Sequence, residues 1–188
     1  MFVKQSDYET LLSNYSSREG AIALLRQYRL YLEMLPSVRR PQASIIPIPL
    51  PIAKVRSPQR QLEKASASDE AVCLPCDLAI LLCDPEWKIK LGVEILVFIH
   101  RPQEDFSALL RRWRETQVYL DREYQWFMPL PEQHMFSETA EKIYPLFVVF
   151  EATPERIKQG LTGAGLPYVV HSSEPVDDRE PSELQTRG

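Results

Sequence analysis

An alternation of apolar and other residues between Ile89 and Ile99 constrains the fold more than any other feature of this 188-residue chain. The odd-numbered positions in this stretch are all isoleucine, leucine or valine, whereas the charged Glu94 occupies an even-numbered position. A period of two over this length predicts a β-strand whose odd-numbered residues face a core. Residues 78–82 repeat the pattern upstream and residues 84–87 favour a turn, so the two segments predict an antiparallel hairpin.

The pairing of the two strands follows from the requirement that their apolar faces coincide. A four-residue loop over residues 84–87 meets that requirement and predicts Leu82 opposite Ile89. The same register places Asp77 directly opposite Glu94 on the other face. Two carboxylates about 5 Å apart repel each other unless a proton, a cation or a partner compensates, so this pair is a candidate site.

Helices and strands are expected to alternate along the rest of the chain. A Ser-x-x-Glu capping box at Ser16 predicts the start of the first helix, because both side chains satisfy free backbone groups there. The order predicts an α/β fold, with a mixed β-sheet flanked by helices. The predicted elements are a helix from Ser16 to Leu35, an extended segment at 44–52, the hairpin, a helix from Asp105 to Tyr124, a strand at 143–150, a helix from Thr153 to Leu161 and a strand at 166–170.

A proline-rich basic segment spans residues 36–64. Its six prolines disfavour a regular central strand, and its six lysines and arginines against Glu63 give a net charge of +5. The chain as a whole carries −4, which argues against a generic basic nucleic-acid binder. Two interpretations stay open, a solvated connector and a local nucleic-acid contact. The candidate contact residues are Arg39, Arg40, Lys54, Arg56 and Arg60.

Aromatic residues cluster between positions 124 and 127, beside Pro129 and Pro131. Tyr124, Trp126 and Phe127 are the candidate residues of an exposed protein-binding patch, with core packing as the alternative.

Cysteines and histidines do not form a complete metal motif. Cys73 and Cys76 have zinc-knuckle spacing but lack a second close pair, which favours small buried residues. His100 ends the predicted strand, where we expect a solvated side chain.

Composition and processing signals predict a cytoplasmic protein without membrane contact. No apolar signal-peptide segment follows Met1, and the most apolar stretch is too short to span a bilayer. Three cysteines, an odd number, fit a reducing compartment. We expect a single α/β domain over residues 1–171, and a disordered acidic tail over residues 172–188.

Pro75-Cys76-Asp77 at the start of one predicted strand and Val93-Glu94-Ile95-Leu96 in the next resemble the PD-(D/E)xK nuclease superfamily, which has the restriction-endonuclease-like fold. The resemblance covers roughly residues 18–150 and implies a helix, three strands, a helix and a strand. It implies that Asp77 and Glu94 hold a divalent metal, usually Mg²⁺. Leu96 occupies the family's lysine position, and Cys76 separates the usual proline–aspartate pair. Whether Arg101, Arg111 or Arg112 substitutes for the lysine stays open.

Three functions follow from these features. The favoured prediction is a non-catalytic, nuclease-like binding subunit or adaptor in a nucleic-acid-processing or mobile-element complex, with protein partners, possible DNA contact and no cofactor. The alternative is a Mg²⁺-dependent deoxyribonuclease in which Asp77 and Glu94 are both the catalytic residues and the metal ligands. The third is a protein-interaction module without a nucleic-acid role.

Overall fold

Two β-sheets form the centre of the described part of the chain. The computed structural model describes residues 3–28, 31, 41–56, 70–82, 93–127 and 142–172. Its helices and strands, in chain order, are α1 (Gln5–Tyr15), α2 (Arg18–Gln27), the short α3 (Pro41–Ser44), β1 (Ile45–Pro49), β2 (Ile52–Val55), β3 (Glu70–Cys73), β4 (Leu78–Leu82), β5 (Val93–Ile99), α4 (Phe106–Leu120), β6 (Tyr124–Trp126), β7 (Lys142–Phe150), α5 (Glu155–Gly163) and β8 (Tyr168–His171).

The larger sheet has five strands in the order β1-β4-β5-β7-β8. The pairs β1–β4 and β4–β5 are antiparallel, whereas the pairs β5–β7 and β7–β8 are parallel. Helix α4 lies in the connection between β5 and β7, and α5 lies between β7 and β8. The predicted α/β class and its mixed sheet flanked by helices are therefore confirmed.

Strands β4 and β5 are buried on both faces. Their first face, which includes Ile80 and Ile95, packs against α1 and α2. Their second face, which includes Leu81 and Leu96, packs against α4, α5 and the smaller sheet. The apolar face that the sequence predicts is therefore present. The opposite face, which the sequence predicts to carry the polar positions, is also buried, beneath α4, α5 and the smaller sheet.

The predicted register of the β4–β5 hairpin is wrong. Leu82 pairs with Val93 rather than with Ile89, and Glu94 lies opposite Leu81 rather than Asp77. The side-chain period fixes only which residues share a face, so registers that differ by two or four residues bury the same faces. Residues 83–92, which include the predicted turn, lie outside the described residues.

The smaller sheet has three antiparallel strands in the order β3-β2-β6, and the sequence does not predict it. Its strands hold only three or four residues each, too few for a clear alternation. Strand β2 directly follows Pro51, inside the proline-rich segment. In contrast, β1 is an edge strand of the larger sheet, as its prolines predict.

Helix starts differ from their predicted positions by one residue in two cases. The side chain of Ser17, not Ser16, caps α2 by accepting a hydrogen bond from the Gly20 amide at 3.0 Å. The residue before α5 is Pro154 rather than Thr153. Asp105 caps α4 as predicted, accepting from the Ala108 amide at 2.7 Å.

The predicted helix from Ser16 to Leu35 is not continuous, because α2 ends at Gln27 and its C-cap Tyr28 has a non-helical backbone conformation. Residues 29–30 and 32–40, and the acidic tail from residue 173 onward, lie outside the described residues. Within the described ranges, no helix combines the length and the apolar character that a bilayer crossing needs.

Candidate functional site

Asp77 is fully buried at the residue before β4, and both of its carboxylate oxygens are engaged. Its Oδ1 accepts hydrogen bonds from the Tyr8 hydroxyl at 2.8 Å and from Arg101 Nη2 at 2.7 Å. Its Oδ2 accepts from the Ile99 amide at 2.7 Å and from the guanidinium of Arg112. Four donors thus satisfy one carboxylate, which is the arrangement a buried charge requires.

Glu104 completes a balanced charge network around Asp77. The guanidinium of Arg112 reaches both Glu104 oxygens, at 3.2 and 3.3 Å, and also donates to the backbone carbonyls of Pro75 and Ile99. The Arg101 amide donates to Glu104 Oε2 at 3.0 Å. Two carboxylates therefore face two guanidinium groups, so the buried charges compensate each other.

The Asp77 network joins the two layers of the fold. Tyr8 belongs to α1 on the first face of the larger sheet, and Arg112 belongs to α4 on the second face. Burial, followed by the adjacent Asp77 carboxylate, raises the pKa of Tyr8 to about 12, so its hydroxyl stays a donor at neutral pH. The carboxylate at the start of β4 thus holds helices from opposite sides.

Glu94 occupies a separate buried environment on β5. Its Oε2 accepts from the Tyr124 hydroxyl at 2.8 Å, and its Oε1 accepts from the Trp126 indole nitrogen at 2.7 Å. Burial raises the pKa of Glu94 to about 7, although the two hydrogen bonds oppose this shift. Since both donors belong to β6, these two hydrogen bonds to Glu94 link the smaller sheet to the larger one.

The prediction that Asp77 and Glu94 face each other in one site is wrong. Glu94 pairs with Leu81, which is four residues from Asp77 along β4, or about 13 Å at the usual rise per residue. Among the described residues, the two carboxylates have no hydrogen-bond donor in common. Within the described ranges, no group of three or more histidine, cysteine, aspartate or glutamate side chains is arranged to hold a metal ion.

Of the three arginines considered as lysine substitutes, two reach Asp77. Arg101 and Arg112 bind its carboxylate directly, whereas Arg111 points outward and lies 3.9 Å from Glu115. Both arginines are hydrogen-bonded to the carboxylate itself, so neither is placed to activate a water molecule beside it.

Only part of the predicted aromatic patch is exposed. Tyr124 and Trp126 are buried against the larger sheet because their polar atoms donate to Glu94, so the prediction that they form an exposed patch is wrong. Phe127 is 42% exposed, and the Lys54 ammonium lies 4.9 Å from its ring centre. Aromatic and basic candidates from distant parts of the sequence therefore meet on one surface.

The basic candidates divide between described and undescribed residues. Lys54 and Arg56 are exposed on or beside β2. Arg56 forms an ion pair with Glu123 at 2.5 Å. Arg39, Arg40 and Arg60 lie outside the described residues.

His100 is buried, so the prediction of a solvated strand end is wrong. Its Nε2 donates to the Glu104 carbonyl at 3.0 Å, and its Nδ1 lies 3.1 Å from the Thr153 hydroxyl. Cys76 is buried and burial raises the pKa of its thiol, whereas Cys73 is exposed. Both cysteines are free.

Sequence reasoning missed Tyr8 and Glu104, because neither belongs to a motif. For Arg112 a signal existed, since it lies on the apolar face of α4 between Leu109 and Thr116. A charged residue at such a position predicts a buried ion pair. The sequence could not identify its partner, which lies 35 residues away.

Comparisons with protein-family models, curated proteins and solved structures found no match to this chain. The resemblance to the PD-(D/E)xK nucleases therefore stays a prediction from the sequence, and the function is argued from the residues themselves.

Proposed function

We propose that the protein is a non-catalytic binding subunit with a nuclease-like core, acting in a complex that processes nucleic acids. The order of elements supports the core. A helix precedes the antiparallel strands β1, β4 and β5, after which α4 leads to the parallel strand β7. The strands of the smaller sheet interrupt this order, since β2 and β3 lie between β1 and β4, and β6 lies between α4 and β7. Without these three strands, the order is the one that the resemblance implies.

The occupation of Asp77 by two arginines is the observation that carries the non-catalytic assignment. A divalent cation would contribute two positive charges to a pair of acidic ligands. Here Arg101 and Arg112 supply those two charges to Asp77 and Glu104. A metal would have to displace the buried guanidinium of Arg112, whose side chain is 9% exposed, as well as that of the half-buried Arg101. Leaving the Arg112 charge buried and unpaired would cost several kcal/mol.

Glu94 supports the same assignment. Its oxygens accept from a phenol and an indole, and the indole nitrogen can only donate. Both groups belong to the strand that Glu94 fastens, so the role of this carboxylate is structural.

Cleavage and binding assays on the purified protein test the proposal. We expect single- and double-stranded DNA and RNA to stay intact with Mg²⁺ or Mn²⁺, while labelled nucleic acid binds with an affinity that falls as salt rises. Metal-dependent cleavage that disappears in a folded Asp77→Asn variant would overturn the proposal. Asp121→Asn, at an exposed position after α4, is the matched control.

A further inference from the structure

The smaller sheet has one buried side and one exposed side. Along β2, Ala53 and Val55 are buried, whereas the alternate residues point away from the larger sheet. We call this exposed side the outer face. Its side chains belong to Ile52, Lys54, Ala71, Cys73, Gln125 and Phe127, with Arg56 and Glu123 at one end.

One row of the outer face is apolar. Ile52 pairs with Cys73 on β3, and the Phe127 amide donates to the Ile52 carbonyl at 2.9 Å on the other side. Ile52 is 43% exposed and Phe127 is 42% exposed. Large apolar side chains that adjoin across a sheet and face solvent indicate a contact surface.

The next row along the outer face is basic. Lys54 pairs with Ala71 and Gln125, and its ammonium lies over the Phe127 ring. Arg56 follows, with its guanidinium shared with Glu123. Cationic groups thus adjoin the apolar row. Of the two acidic residues described at this end, Glu123 is paired with Arg56, and Glu70 lies opposite Val55, in a row that belongs to the other side of the sheet.

We propose that the outer face binds single-stranded nucleic acid, with an unpaired base stacked on Phe127 beside Ile52 and with phosphates on Lys54 and Arg56. This proposal rests on the proposed function and names the ligand that the binding subunit contacts. Aromatic side chains next to positive charges are the combination that single strands require, since each base has an apolar ring face and each linkage has a charge.

The size of the outer face favours this ligand over a protein. Three strands span two inter-strand spacings, or about 10 Å. A stable protein interface covers about 800 Å² on each partner, which is far more than one such row offers. A duplex keeps its base faces stacked inside the helix, so it would gain nothing from Phe127 and Ile52.

Fluorescence anisotropy with short labelled single strands of DNA and RNA tests the aromatic contact. We expect Phe127→Ala to weaken single-strand binding about 5- to 150-fold, because one stacked base contributes about 1–3 kcal/mol. Phe127→Trp should retain the affinity. Val118→Ala, which removes an exposed apolar side chain from α4, should leave the affinity unchanged. Neither Phe127→Ala nor Val118→Ala should change the affinity for a labelled duplex.

The salt dependence of binding tests the basic contact. We expect Lys54→Glu to reduce single-strand affinity and to lower the slope of log affinity against log salt by about 0.7, the value for one lost phosphate contact. Arg111→Glu, on the exposed side of α4, is the control and should change neither quantity.

Three results would overturn this inference. They are equal single-strand affinity of Phe127→Ala and Val118→Ala, equal or tighter binding of the duplex, and no binding of any oligonucleotide at low salt. If a protein partner stays bound after nuclease treatment but no longer binds Phe127→Ala, the outer face is the binding site of that protein instead. Asp77-dependent cleavage overturns the proposed function alone, and equal affinity of Phe127→Ala and Val118→Ala overturns only the assignment of the outer face, so the two failures are distinguishable.

Discussion

At the scale of single residues, neighbouring arginines of α4 have opposite environments. The side chain of Arg112 is 9% exposed and donates to acceptors on four residues, whereas that of Arg111 is 70% exposed and lies 3.9 Å from Glu115. Both are arginines on consecutive positions of one helix, so they form a natural pair for measuring the network around Asp77.

Replacing each arginine with lysine is the first prediction. We expect Arg112→Lys to lower the free energy of unfolding by about 2–3 kcal/mol, because an ammonium cannot reproduce the planar fork that binds Asp77 and Glu104 together. Arg111→Lys should change it by less than about 0.5 kcal/mol. Urea denaturation measures both, and equal values for the two variants would contradict the structural role of Arg112.

Glu94 leads to a prediction about pH. Its pKa rises from 4.5 to about 7 on folding, so its contribution to stability is fully present below pH 4.5 and is lost as the pH rises through about 7. The linked free energy is about 3 kcal/mol. We expect Glu94→Gln to remove this loss, and so to gain stability relative to the parent protein between pH 5 and pH 8.

Denaturation midpoints of parent and variant across this pH range provide the measurement. Glu115→Gln, at an exposed position of α4, serves as the control for replacing a glutamate with a glutamine. A pH-independent difference for Glu94→Gln would mean that Glu94 titrates as an ordinary exposed carboxyl group.

At the scale of elements, two glycines mark positions where a helix closely approaches a neighbouring residue, at its backbone for Gly20 and at its aromatic ring for Gly160. A Cβ on Gly20 would lie 1.9 Å from the Asn14 carbonyl oxygen, at the junction of α1 and α2. A Cβ on Gly160 would lie 2.8 Å from the Phe106 ring, where α5 meets α4. At Gly163, by contrast, nothing lies within 4 Å.

Alanine substitutions at these glycines should therefore differ in sign. We expect Gly20→Ala to destabilise the fold by about 1–3 kcal/mol, since the clash is with backbone and exceeds the gain in helix propensity. Gly160→Ala should cost less, because the Phe106 ring can shift. Gly163→Ala should be neutral or stabilising by up to about 1 kcal/mol. Thermal denaturation ranks the three, and a stable Gly20→Ala would contradict the described α1–α2 junction.

The elements also show how far the sequence determines the fold. Alternation in β4 and β5, the buried run in β7 and the cap at Asp105 depend on local side-chain pattern, and they are found as predicted. The register of β4 with β5 depends on the length of the connection between them, which alternation leaves open. The candidate pair Asp77–Glu94 rested on that register, so its prediction failed with it.

At the scale of the whole molecule, the outer face and the Asp77 network both arise from contacts between residues that are distant in sequence. Lys54 and Phe127 are distant in sequence, and strands too short to be predicted bring them together. Asp77 likewise collects Tyr8, Arg101 and Arg112 from three parts of the chain. The sequence identified most of these residues as candidates but could not show which of them meet.

Guanidinium groups neutralise the buried Asp77 carboxylate at the start of β4, which leaves no place for a metal there. Thermal unfolding with increasing Mn²⁺ tests this, because a metal that binds only the folded protein must raise the melting temperature. We predict no rise in the parent protein, and a lower melting temperature for Asp77→Asn at every Mn²⁺ concentration. A Mn²⁺-dependent rise in the parent that Asp77→Asn abolishes would contradict the claim.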